Sequence, residues 1–197
     1  IIFSLPILLG NLLQQFYSII DSIIVGNFVS ANALGSIGNT MPIVFMVICI
    51  SFGLSNGASI LIGQTVGANS LHKIKTLSYS SVFYAMVVGG VLSLIFVPNA
   101  MNLVRIINTP IELQQDSANY LTIYFIGLVF IFGFNMISAI FRSLGDSTTP
   151  LIFLIVASIL NIILDLVFVL VFQMGVQGVA IATVLAQALA FLLQIIL

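Results

Sequence analysis

The chain has 197 residues; 61% are hydrophobic and 5% are charged, the net charge is −1 and the mean hydropathy is +1.31. Soluble domains carry roughly 25% charged residues, and no soluble fold of this size has interior enough for so much apolar side chain, so this is an integral membrane protein. The charge balance also excludes a nucleic-acid partner, which would call for a basic face.

A stretch of about 20 apolar residues crosses a bilayer as a helix. Six are predicted, over 1–27, 39–66, 77–97, 118–142, 150–173 and 177–197, which makes the chain an all-α polytopic protein. It begins at Ile1 and ends at Leu197 inside apolar sequence, without a basic n-region or cleavage site at its start. It therefore reads as a fragment of a longer membrane protein.

In the first segment Asn11, Gln14, Ser18 and Asp21 fall on one helical face, and Pro6 is a candidate kink. The second contains Gly53, Gly57, Gly63 and Gly67, which permit close helix approach, and the lone Cys49, expected to be a small packed apolar residue. His72, Lys73 and Lys75 follow in a loop suited to anionic lipid headgroups. Before the fourth segment, Thr109 is placed as an N-cap, Pro110 as the first helical residue and Glu112 as the return partner of a capping box.

Within the fourth segment Asn135, Ser138 and Arg142 align. Gly145 suits the end of that helix, and Thr149 with Pro150 the start of the next, where Asp146 lies near the positive helix end. The fifth segment aligns Ser158, Asn161 and Asp165, and the sixth Thr183, Gln187 and Gln194. Gly175 and Gly178 flank the entry to the sixth. Aromatic residues that could face a hydrophobic cation are Phe16, Tyr17, Tyr84, Tyr120, Tyr124, Phe132 and Phe134.

Lys73, Lys75 and Arg142 mark one side of the membrane and Arg105 the other, which puts both chain ends in the cytoplasm. Asp21, Asp165 and Thr183 then all lie roughly 9–12 Å from the outer helix ends. An acid at mid-membrane costs about 2.5–3.5 kcal/mol on insertion scales. Two acids at one depth point to ion handling. Two carboxyls close together in low dielectric cannot both ionise comfortably, so such a pair holds a proton near neutral pH. Alternatively, oxygens of Asp165, Asn161 and Thr183 could hold Na⁺, since hard cations prefer oxygen ligands. Asn11, Gln14 and Gln187 would form a supporting polar face.

The order of these landmarks resembles the multidrug and toxic compound extrusion (MATE) family, in the first of its two six-helix lobes. The resemblance is carried by Pro6 with Asp21-Ser-Ile-Ile-Val-Gly26, and by Gly63-Gln-Thr-Val-Gly-Ala68. It continues through Phe141-Arg-Ser-Leu-Gly-Asp-Ser-Thr-Thr-Pro150, the pair Asn161 and Asp165, and Gly178-Val-Ala-Ile-Ala-Thr183. It implies one lobe of a twelve-helix secondary transporter, with the missing C-terminal lobe as partner. The implied activity is antiport of organic cations or other drugs against H⁺ or Na⁺, with no cofactor, in a bacterial plasma membrane. In the family the cation site carries over onto Asp21, Asn161, Asp165 and Thr183, and the acid at 165 is similar to the DNA-damage-inducible-F-like branch.

A lipid-linked oligosaccharide flippase of the same superfamily would favour a basic cavity, for which only Arg105 and Arg142 are available. An intramembrane aspartyl protease would need a Gly-x-Gly-Asp helix, whereas Asp165 follows Ile-Ile-Leu.

Overall fold

The computed structural model describes residues 4–68 and 70–196, with the side chains of residues 4, 7, 11, 14, 15, 17, 18 and 71 outside that description. The described residues form a bundle of seven α-helices: α1 (Ser4–Phe28), α2 (Ala31–Gly67), α3 (Leu71–Ile106), α4 (Ile111–Ile126), α5 (Leu128–Ser143), α6 (Thr148–Leu166) and α7 (Gly175–Ile196). A π-helical turn, Val167–Val171, extends α6. By length and composition α2, α3, α6 and α7 can each cross a membrane, and α4 with α5 makes a fifth, broken span. The 25 residues of α1 give it the length of a sixth, about 37 Å.

The helices run further than the apolar windows. Where the sequence suggests a loop over 28–38, α2 already begins at Ala31, with the Ser30 hydroxyl accepting from the Ala33 amide at 3.0 Å. The 36 residues of α3 likewise absorb most of two expected loops, ending at Ile106 instead of 97. Polar and charged residues at these ends cost nothing in the headgroup region, so the backbone ladder continues where hydropathy stops. The capping expected before the fourth segment is also corrected. Pro110 takes the N-cap position with ψ 141 and α4 begins at Ile111. Thr109 is buried, with its hydroxyl unbonded among the described residues.

The fourth segment, expected as one helix, breaks at Gly127, where α4 and α5 meet at 52°. A Cβ at Gly127 would stand 2.5 Å from a methyl of Val184, so α7 passes where any larger residue would project. Fully buried Phe125, Leu128, Phe132 and Met136 carry the core across this break. Around it α5 packs on α2, α3 and α7, while α4 packs on α2, α3 and α7, and α1 lies chiefly on α6. The outer surfaces of α3 and α6 present Phe83, Leu94, Ile152 and Ile159 outward, as lipid contact requires. Cys49 is exposed on the outside of α2, not packed as expected. The neighbouring Val47 occupies the interior position.

At the turn into α6, Gly145 takes φ +91, a left-handed conformation that favours glycine. Helix α6 starts at Thr148, one residue before the expected Thr149, and Asp146 supplies its cap. The Thr148 and Thr149 amides donate to Asp146 Oδ1 at 2.9 and 3.0 Å. Hydrogen bonds from Thr149, side chain first and then backbone, hold the Asp146 carboxyl below the usual carboxylate range.

Two stability tests follow. A Cβ on Gly89 would lie 2.9 Å from the Leu128 carbonyl oxygen, which is backbone and cannot swing aside, whereas one on Gly90 meets only a Val129 methyl at 3.8 Å. Gly89→Ala should cost about 1–3 kcal/mol by overpacking, and Gly90→Ala little, as read by thermal unfolding in detergent. Asp146→Ala should cost about 1 kcal/mol at neutral pH, the usual value of a lost cap. Because folding depresses this carboxyl, its contribution is present above the ordinary carboxylate pKa of about 3.9 and disappears as pH falls through the lower folded value. The unfolding difference between Asp146→Ala and the parent should therefore shrink in acid.

Candidate cation site

Asn161 and Asp165 lie one turn apart on the face of α6 that meets α1 and α7, and both are buried. Opposite them, α1 brings Asp21 and α7 brings Thr183. With both carboxyls ionised, one assignment of the Asn161 amide pairs donors with acceptors. In that orientation Nδ2 donates to Asp21 Oδ1 at 2.9 Å and to Asp165 Oδ2 at 3.2 Å, and the amide oxygen accepts from the Thr183 backbone N–H at 3.2 Å. One neutral side chain thus contacts two acids from different helices. The Thr183 hydroxyl donates to the Val179 carbonyl at 3.0 Å.

Asp165 Oδ1 is buried without a hydrogen-bond donor among the described residues. Its neighbour is the Asp21 carboxyl, which lies within hydrogen-bonding range of the Asp165 carboxyl. Two carboxylates are acceptors only, so a bond between them requires a proton on one. The orphaned oxygen is therefore a place for a proton.

Local backbone keeps the site compact. The π-helical turn begins two residues after Asp165, and Gln173 and Gly175 then reverse the chain with φ +53 and +58. A Cβ on Gly178 would lie 2.9 Å from Phe168 Cβ, so glycine lets α7 start close against the π turn. This brings Thr183 to the level of Asn161. π-turns are frequent at functional sites.

Beside the acids is a cavity of about 640 Å³. Asp21, Thr183, Tyr120 and Tyr124 line one end and Arg142 lies at the other, with Gln187 on the wall between. Tyr120 and Tyr124 stack with ring centroids 6.3 Å apart, and Tyr120 is within electrostatic reach of both acids. Of the aromatic residues singled out above, Phe134 also lines the cavity. Phe132 is in the core, whereas Phe16 and Tyr84 are exposed on the outside. Asn11, Gln14, Ser18 and Tyr17 belong to the side chains outside the described residues.

Two interhelical bonds sit deeper. Asn135 donates to Ser51 at 3.1 Å, joining α5 to α2, and Gln194 donates to Ser138 at 2.9 Å, joining α7 to α5. Near the end of α2 where the chain enters, the Ser117 hydroxyl donates to the Ser36 carbonyl at 2.9 Å. Ser51, Ser36 and Ser117 carry no distinguishing pattern in sequence, because a single serine on an apolar helix is common and its partner is far away in the chain.

With this geometry in view, the chain can be set beside known proteins. It matches the MatE family over residues 6–167. It is 38% identical over 196 residues to the probable multidrug resistance protein YpnP of Bacillus subtilis, covering 98% of this chain and 43% of that protein. It is 28% identical over 198 residues to the multidrug export protein MepA of Staphylococcus aureus, again covering 98% of this chain and 43% of the relative. It superposes with a TM-score of 0.91 and 25% identity on an outward-facing multidrug resistance MATE family transporter, covering 98% of this chain and 42% of that one. The chain thus spans about two-fifths of the length of the curated relatives it matches.

Removing the amide should expose its importance. Asn161→Leu leaves two buried acids without their shared donor, and should lower stability by about 1–3 kcal/mol. Thermal unfolding of the purified protein in detergent measures this, with Gln187→Leu on the cavity wall as the milder control.

Proposed function

Because the chain belongs to the multidrug and toxic compound extrusion family of membrane transporters, we propose that it forms the cation-coupling lobe of a proton-driven drug exporter. The observation that carries this reading is the meeting of Asp21 and Asp165 on one buried amide. A pair of acids with an orphaned oxygen can take up one proton and release it when the surroundings change. Proton coupling is supported by the approach of the two carboxyls, since a hydrogen bond between them requires a proton on one. Asp21 and Asp165 would carry the proton, Asn161 would orient both, and the Thr183 backbone would fix the amide.

The cavity beside the acids would hold the exported molecule, an organic cation or drug. Stacked tyrosines and Phe134 suit an apolar aromatic body, and Asp21 suits a positive charge. The lobe would work with a second, C-terminal lobe. Lys73, Lys75 and Arg142 would lie in the cytoplasm together with the N-terminus, and Arg105 outside.

Transport of a fluorescent organic cation by the full-length gene product in proteoliposomes tests the proposal. An imposed pH gradient should drive export. Asp21→Asn and Asp165→Asn should each reduce it at least tenfold, and in Asp165→Asn, which does not line the cavity, dye binding without a gradient should persist. If a Na⁺ gradient alone drives export, the proton assignment is wrong. Intact pH-driven export in both variants would remove the acids from coupling altogether.

A further inference from the structure

The cavity has a second charged end that the coupling chemistry does not use. Arg142, in the last turn of α5, lines it with Ser138 one turn above and with Ser147 and Pro150 from the connection to α6. Among the described residues that line the cavity, Arg142 is the sole cation and Asp21 the sole acid. Arg142 is half-buried, and its guanidinium has no hydrogen bond or ion pair among the described residues. A guanidinium stays charged and offers five donors in a planar fork. Such a group facing a cavity is free to take an anionic partner, and the available acids are committed elsewhere. Asp146 caps α6. Asp21 and Asp165 are at the far end: Gln194, which bonds Ser138, lies 194 − 183 = 11 residues beyond Thr183 along α7, about 16 Å of rise. Arg142 is a further turn inward. The nearby neutral groups are also engaged, Asn135 with Ser51 and Ser138 with Gln194.

We propose that Arg142 is a carboxylate-recognition residue, and that the inner end of the cavity binds amphipathic molecules bearing a carboxylate. The carboxylate would take the guanidinium fork in two parallel hydrogen bonds. The apolar body would lie along Phe52, Phe134 and Leu154, which line the same cavity nearer Arg142. The cavity is then polarised, with a cation inward and an acid outward, and it orients a zwitterion with its acid toward Arg142. This rests on the reading of the chain as a drug exporter, and it names the residue that would hold the acid of a substrate bearing one.

Rhodamine B, which carries a free carboxylate, and its ethyl ester form a matched pair of probes. Their binding to the full-length protein in detergent is read by fluorescence polarisation, away from anionic lipid. Arg142→Gln should weaken the free acid about tenfold and the ester by no more than about twofold. Arg142→Lys, which keeps the charge but loses the fork, should fall between. Ester binding reports that each variant is folded. An equal loss for both dyes would assign Arg142 to a structural partner elsewhere in the full-length protein and overturn the proposal, as would no change for either. If the parent protein binds neither dye, the exporter reading itself fails, and this inference with it.

Discussion

The Asn161 amide is the point on which the polar architecture turns. It has two donors and one acceptor group to place, and it is buried. It spends both donors on acids from different helices and its oxygen on a third helix. Three elements far apart in sequence, α1, α6 and α7, are thereby fixed at one level. Close packing makes this possible. Gly178 allows α7 to begin against the π turn, and α1 lies along the same α6 face that bears Asn161 and Asp165. A larger residue at Gly178 would lift Thr183 from the amide oxygen without touching either acid.

The remaining polar contacts differ in kind from this one. Asn135 with Ser51 and Gln194 with Ser138 are neutral pairs. Such bonds contribute about 0.6 kcal/mol each in membrane bundles, and they do not change with pH. They tie α5 to α2 and α7 around a core that continues through the α4–α5 break. At the bend, Gly127 lets Val184 of α7 occupy the space a side chain would fill. The neutral pairs therefore do not respond to pH, and the charged residues among those that line the cavity, Asp21 and Arg142, sit at its two ends.

Much of this was legible in the sequence. An acid in an apolar helix is rare enough to stand out, and helical spacing alone put Asn161 and Asp165 on one face. Counting residues from helix ends placed Asp21, Asp165 and Thr183 at a common depth, and the structure brings them together. The helix limits were less legible. Hydropathy reports where lipid begins, while the backbone ladder of α2 and α3 continues beyond it. The break at Gly127 was invisible, since the valine it makes room for lies nearly sixty residues later. Cys49 faced outward for a related reason: on a lipid-bathed helix the apolar residues do not reveal which side is inside. Capping before α4 misled because Thr109-Pro110 offers a cap that satisfies local rules, yet the chain buries Thr109 instead.

Under proton coupling, these differences in kind determine where a gradient can act. A change of charge alters only contacts whose members ionise, so the neutral α5 bonds are unaffected. Helix α1 rests chiefly on α6, and its described polar link there runs from Asp21 to the Asn161 amide. Protonating Asp21 replaces an ionised acceptor by a neutral one, and charge-assisted bonds are roughly twice as strong as neutral ones. Protonating Asp165 instead leaves Asp21 as the stronger acceptor and draws the amide toward α1. A proton on either acid therefore weakens that acid's bond from the amide and at the same time supplies the donor for a carboxyl–carboxyl bond between α1 and α6. The Thr183 backbone restrains the amide oxygen in both cases. The adjoining cavity wall includes Asp21 itself, so a shift of α1 changes the space and charge offered to a bound molecule in one step.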